Sequence, residues 1–250
     1  MTPDLWLLVL GAAVAGFVQG LSGFAFGMVA MSFWVWGIEP SVAAVMAVFG
    51  SLTGQVVAAV SSRRAFHLGT LAPFLLGGAV GIPLGIAVLP HLNADLFRLV
   101  LGTVLVVFCP IMLFSARLPK LSRAGRMGDG VAGAIGGFMG GIGGFTGVVP
   151  TLWCTLRGMA KDEQRAVIQN FNLAALAFTM LGYVLAGAVT REMWPLLPLV
   201  AVALLVPSLI GGRLYVGLSE AAFRKLVLSL LSLSGLTMLV SAVPRLLAAT

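Results

Sequence analysis

Charge is what this sequence has least of. Of its 250 residues only 9% are charged, with eight Asp and Glu, fifteen Lys and Arg and two His, while 60% are hydrophobic. At a mean hydropathy of +1.08 the chain has too little polar surface to solvate a globular domain of this size. It reads as an all-α, polytopic membrane protein. The two cysteines, Cys109 and Cys154, both lie in apolar runs. That excludes a disulfide framework, and both read as small packing residues. Two distant histidines, His67 and His91, no paired acids within a span and no His-x-x-Glu-His-like motif argue against an intramembrane enzyme or a metal site. No cofactor is expected, and no G-x4-G-K-[ST] loop is present to couple ATP. The acids Asp4, Glu39, Asp95, Asp129, Asp162, Glu163, Glu192 and Glu220 all fall at or near segment ends, against a buried-carboxylate proton relay. The opening MTPDLWLL lacks a basic n-region and carries Asp4, unlike a cleaved signal peptide. The net charge of +7 sits beside apolar segments, where it speaks for topology and not for a nucleic-acid partner.

Glycine, by contrast, is abundant. Eight of the 32 glycines fall between Gly133 and Gly147, in GAIGGFMGGIGGFTG. A thinner copy lies near the N-terminus, where Gly16, Gly20, Gly23 and Gly27 match Gly133, Gly137, Gly140 and Gly144 at an offset of 117. Each helical glycine costs about 1 kcal/mol relative to alanine. Such density marks either close helix packing of the small-xxx-small type or helices that break inside the bilayer. Two breaks at corresponding places in two halves point to a transporter's binding site.

About eight apolar runs are present, at 5–36, 40–60, 68–90, 95–116, 130–156, 166–189, 193–216 and 222–246. The division expected is a first transmembrane repeat over 1–116, a basic cytoplasmic linker over 117–129 and a second repeat over 130–250. GIAVLPHLNADLFR from Gly85 to Arg98 also resembles GGRLYVGLSEAAFR from Gly211 to Arg224. Run 5–36 would be about 48 Å long as one straight helix, against a hydrocarbon core of about 30 Å, so it is either strongly tilted or broken and re-entrant.

Charge counting favours re-entrance. If all eight runs cross, Lys and Arg divide without bias. If runs one and five return to their starting sides, twelve share one side: Arg63, Arg64, Arg117, Lys120, Arg123, Arg126, Arg157, Lys161, Arg165, Arg213, Arg224 and Lys225. Only Arg98, Arg191 and Arg245 face the other. That division obeys the positive-inside rule, puts both termini outside, and gives two four-segment repeats of opposite orientation.

A neutral site for a small anion needs backbone amides and hydroxyls. The candidates are Gly140, Gly141, Gly143, Gly144 and Thr146 in the second half, with Gln19, Ser22 and Gly23 in the first. Intramembrane Asn170 and Asn172 join them, as does Ser51, which aligns with Asn172 at an offset of 121. Gln55, Thr53 and Gln169 are further polar residues within spans. Pro83, Pro110 and Pro207 fall within spans, and proline is a residue at which a helix can kink.

The first glycine-rich segment (GFVQGLSGFAFG), its counterpart after the basic loop (GGFMGGIGGFTGVVP) and the pattern of Gly81, Gly85, Arg98 echoed by Gly211, Arg224 together resemble the TauE/SafE family of sulfite and organosulfonate exporters. The resemblance spans the whole chain. It implies movement of a small sulfur-containing or carboxylate anion across the cytoplasmic (inner) membrane, with the lipid bilayer and the anion as partners and a homo-oligomer left open. Export by alternating access is the first reading, and proton-coupled uptake of a related sulfonate or carboxylate is the alternative. The first half departs from the pattern: Phe24, Ala25 and Phe26 stand opposite Gly141, Ile142 and Gly143, and Phe33 opposite Pro150. The topology has a direct test. With Cys109 and Cys154 replaced, single cysteines at Glu39 and Arg157 are expected to react with impermeant thiol reagents from opposite sides. Reaction from the same side would mean that both runs cross.

Overall fold

The computed structural model describes residues 5–23, 25–61, 68–114, 125–214 and 220–248. Phe24, His67, Arg63, Arg64, Arg117, Lys120 and Arg123 lie outside these, as does the side chain of Arg224. Among the described residues the chain is helical throughout, without strands. It forms ten helices: α1 (Leu5–Ser22), α2 (Phe26–Trp34), α3 (Pro40–Ser61), α4 (Leu68–Val88), α5 (Ala94–Leu113), α6 (Arg126–Gly143), α7 (Val148–Leu156), α8 (Lys161–Leu185), α9 (Leu196–Leu214) and α10 (Glu220–Ala248). Seven of them are long and apolar enough to cross a membrane: α1, α3, α4, α5, α8, α9 and α10.

The difference from eight apolar runs has a local cause. Run 5–36 divides into α1 and α2, and run 130–156 into α6 and α7. Helix α6 begins at Arg126, within the stretch read as linker, and carries Arg126 and Asp129 in its opening turn. At 18 residues α6 has no longer stretch to draw on, and with its many glycines it is less apolar than the best 18 residues of each spanning helix.

Local signals account for the helix starts. Pro40 opens α3, where its missing N–H is no loss. The Asn93 side chain accepts the Leu96 amide at 2.8 Å at the start of α5. Asp162 and Glu163 stand in the first turn of α8, favourably placed on its dipole. Pro83, Pro110 and Pro207 lie inside α4, α5 and α9, which continue through them.

Packing pairs helices from opposite halves: α1 lies along α9, α4 along α6, and α5 along α10, with α3 and α8 between. Glycines set the close approaches. A Cβ on Gly16 would come within 2.6 Å of the Leu204 carbonyl, and one on Gly137 within 2.7 Å of the Gly78 carbonyl. Gly211 abuts the Phe17 carbonyl, and Gly85 abuts the Phe138 carbonyl. The core runs through α3, where Ala43 to Val48 are all fully buried.

These contacts correct the glycine register. Helices α1 and α6 each have 18 residues, and α2 and α7 each have nine. Their starts place the halves 121 to 122 residues apart, which pairs Gly16, Gly20 and Gly23 with Gly137, Gly141 and Gly144. The offset of 117 is one helical turn out. Small residues every three or four positions keep the same face after a slide of four, so the glycines alone could not fix the register. In this register Ala25 stands opposite the loop residue Thr146.

The fold makes a stability prediction. A side chain at Gly81 would run into the Ala134 carbonyl of α6, and Gly81→Val is expected to cost roughly 1–3 kcal/mol or more. Gly69, with nothing within 4 Å of its Cβ position, should accept alanine without loss. Thermal unfolding of the purified protein in detergent compares the two.

Candidate functional site

Both interruptions use the same stop. Helix α1 ends at Ser22, and Gly23 takes the left-handed conformation at φ +83°. Its amide donates to the Gln19 carbonyl at 2.7 Å. Helix α6 ends at Gly143, and Gly144 is left-handed at φ +78°. The Gly144 amide donates to the Gly140 carbonyl at 2.8 Å, the single bond of an αL cap, and the Phe145 amide reaches the Met139 carbonyl at 3.4 Å. Only glycine holds this geometry without strain. The chain restarts as α2 and α7, whose first amides have no partner within their own helices.

The two interruptions lie side by side. The Cβ position of Gly27, in the first turn of α2, is 3.0 Å from the Gly144 carbonyl. Helices α3 and α8 each reach both. On α3, Gln55 Nε2 donates to the Gly23 carbonyl at 2.7 Å, while Ala47 and Val48 pack on Gly144 at 3.4 Å. On α8, the Gln169 amide lies 3.6 Å from the Cβ position of Gly23. Three residues further on, Asn172 Oδ1 accepts the Thr146 hydroxyl at 2.9 Å, with its amide against Gly147.

The residues expected to form the site divide into two groups. Gln19, Ser22, Gly23, Ser51, Gly144, Thr146 and Asn172 come together at this junction. Gln19 Nε2 donates to the Ser51 carbonyl at 3.2 Å, its amide fitting against Gly54. The Ser22 hydroxyl accepts the Ala25 amide at 3.4 Å. Gly140, Gly141 and Gly143 are instead inside α6. Gly141 faces α4, with Ile82 2.6 Å from its Cβ position, and Gly140 faces the Thr146 methyl. Gly143 is the last helical residue, against Phe145 and Met31. The expectation that this cluster offers amides to an anion therefore needs correcting. The end of α6 presents carbonyls, and the amide ends are those of α2 and α7. Asn170 is half-buried on α8, two residues from Asn172 and on another face.

Three features were not placed among the site candidates. Gln55 and Gln169 stand one helical turn from Ser51 and Asn172, so i, i+3 and i, i+4 spacing carried the signal. Tyr183, fully buried, donates its hydroxyl to the Gly141 carbonyl at 2.8 Å. Asp129 is 2% exposed despite its place near a segment end, and Arg157 and Trp153 bind it.

The junction is neutral and not fully satisfied. Gln19 and Ser51 are each 4% exposed, yet Gln19 Oε1 and Ser51 Oγ have no hydrogen-bond partner, an uncommon condition for buried polar atoms. Both atoms flank the one bond between these residues. On the Gly23 side, Ser22 is exposed and Gly23, Gln169 and Asn170 are half-buried, whereas Gly143 to Val148 are all buried. The least buried part of the junction thus lies toward the end of the bundle where α3 finishes and α8 begins.

Membrane-length helices gathered around two interrupted ones, with neutral polar side chains at the interruptions, are the architecture of a membrane transporter. A family model described as sulfite exporter TauE/SafE matches residues 8–238, and the chain belongs to that family. No curated protein and no solved structure matches it. Tyr183 gives the geometry a test. Tyr183→Phe leaves the Gly141 carbonyl unpaired and should cost about 1–3 kcal/mol, read as a lower thermal midpoint. An unchanged midpoint would mean that this carbonyl does not depend on the phenol.

Proposed function

We propose that this protein exports a small sulfur-containing anion, sulfite or an organosulfonate, by alternating access at the junction of the two interruptions. The observation that carries the reading is the meeting of Gly23 and Gly144 between the polar side chains of α3 and α8. The first turns of α2 and α7 supply amides and the positive ends of helix dipoles. The Asn172, Gln19, Gln55 and Gln169 amides supply neutral donors, and the Thr146 hydroxyl, donating to Asn172 Oδ1, orients the Asn172 amide. A site without a fixed cation binds an anion and lets it go.

The chain is read as two repeats over 1–116 and 130–250, joined by the linker and opposite in orientation. Three contacts support this. Trp34 Nε1 donates to the Leu8 carbonyl at 3.2 Å, so α2 ends beside the start of α1. Arg157 pairs with Asp129 at 2.7 Å, so α7 ends beside the start of α6. Arg98 Nε donates to the Val35 carbonyl at 3.2 Å with its guanidinium over the Trp36 ring, joining the start of α5 to the end of α2. Each interrupted pair is then a hairpin returning to its own side, and the basic residues gather on the cytoplasmic side of the cell membrane.

The coupling follows from the lining. None of the described junction residues is a carboxylate or a histidine, so the cycle needs no proton carrier. An inside-negative potential favours anion exit by about 2.3 kcal/mol per charge per 100 mV. The test is flux into proteoliposomes holding this chain alone, with voltage and pH gradients imposed separately. Saturable, voltage-driven flux of sulfite or a sulfonate is expected. In Asn172→Ala the half-saturating concentration should rise about tenfold, equivalent to about 1.4 kcal/mol of lost binding. Flux that requires a pH gradient and ignores voltage would overturn the mechanism, and no flux from folded protein would overturn the substrate class.

A further inference from the structure

Asp129 has no part in the junction, yet it is the most thoroughly engaged acid among the described residues. It stands in the first turn of α6, at the opposite end of that helix from Gly144. Its carboxylate is 3% exposed and accepts Arg157 at 2.7 and 2.8 Å and Trp153 Nε1 at 2.8 Å. Trp153 lies over Gly128, where a Cβ would overlap its ring. Arg157 is the C-cap of α7. The acid therefore sits at the positive end of one helix dipole and the base at the negative end of another, the favourable placement for both. The same side chains bind three times over, at the only place where the two arms of this hairpin begin and end.

The other hairpin is closed differently. One neutral bond joins Trp34 to the Leu8 carbonyl at 3.2 Å, and the end of α2 is also held by Arg98 of α5. Helix α2 thus packs on α1 and α3, with one side chain of α5 tied to its end. Helix α7 is fastened chiefly to α6, with Gln164 of α8 bonded to Thr155 at 2.9 Å.

We propose that Asp129, Arg157 and Trp153 form a clamp that makes α6 and α7 one rigid body and so positions the loop Gly144–Gly147 from its far end. Asp129 and Arg157 are positioning residues: they act on the junction through α7, a helix of nine residues, about 13 Å long. With the clamp closed, the C-terminal end of α7 is fixed against α6, and Thr146 is held in reach of Asn172. With it open, α7 keeps its packing and the Gln164 bonds from α8 but loses its charged anchor to α6, and the bond between Thr146 and Asn172 loses its far support. The consequence for transport rests on the reading of Gly144–Gly147 as part of the substrate junction, but the clamp itself does not.

Hydrogen–deuterium exchange on the full-length protein in detergent tests the clamp without any substrate, so its failure and that of the transport reading are separable. Asp129→Asn and Arg157→Gln should each speed exchange over residues 144–151 at least about tenfold, while α5 (94–113) keeps its rate. The double variant should be no faster than either single one, because the two groups act as one unit. Arg157→Lys, which keeps the charge but loses the forked geometry, should fall between wild type and Arg157→Gln. Unchanged exchange at 144–151 in both single variants would overturn the proposal. So would an equal rise in 144–151 and α5, which is the signature of lost overall stability, or additive effects in the double variant.

Discussion

The hydrocarbon interior offers no water to an unpaired backbone group, and each one left bare there costs several kcal/mol. A protein that interrupts two helices within its membrane-length bundle must satisfy the exposed ends from its own atoms. Much of the polar chemistry of this chain answers that demand. The left-handed glycines Gly23 and Gly144 fold the last amides back onto Gln19 and Gly140. Gln55 donates to the Gly23 carbonyl and Tyr183 to that of Gly141. What the protein does not satisfy is equally telling: Gln19 Oε1 and Ser51 Oγ are left without a partner, at the junction where α2 and α7 begin.

Holding two interruptions together requires rigid surroundings, and lipid supplies no hydrophobic force between helices. Association rests instead on close backbone approach. Gly16 and Gly211 bring α1 and α9 together, and Gly85 and Gly137 do the same for α4 and α6. Each of these pairs joins a helix from one half of the chain to a helix from the other, so neither half forms a separate bundle. The glycine content that weakens individual helices by about 1 kcal/mol per residue is what allows the helices to meet at backbone distance. Aromatic side chains then fill the larger gaps, as with Phe26 against Trp34 and Phe74 against Phe171.

Composition made the helical membrane class legible, because few charges and long apolar runs admit little else. Segment ends were legible too, and Ser51 opposite Asn172 at 121 was the register the helices adopt. The glycine offset of 117 misled because a repeat of three or four survives a slide of one turn. The direction of the α6 end was also hidden. A cluster of glycines says that backbone is accessible without saying whether amides or carbonyls face inward, and here Gly140 and Gly141 belong to the carbonyl end. The burial of Asp129 was hidden for a different reason. An acid beside an apolar run ordinarily faces water, and its burial depends on Arg157 and Trp153, which arrive from 24 to 28 positions away.

The central claim is that the two interruptions build one anion site, open from the Gly23 side. Ser22 is exposed at its mouth, so a cysteine there reports occupancy directly. In a background without Cys109 and Cys154, the rate at which Ser22→Cys reacts with a maleimide should fall in the presence of methanesulfonate. The effect should saturate at the concentration that half-saturates flux of the same anion. A reaction rate indifferent to the anion, in protein that transports it, would place the site elsewhere and contradict the account.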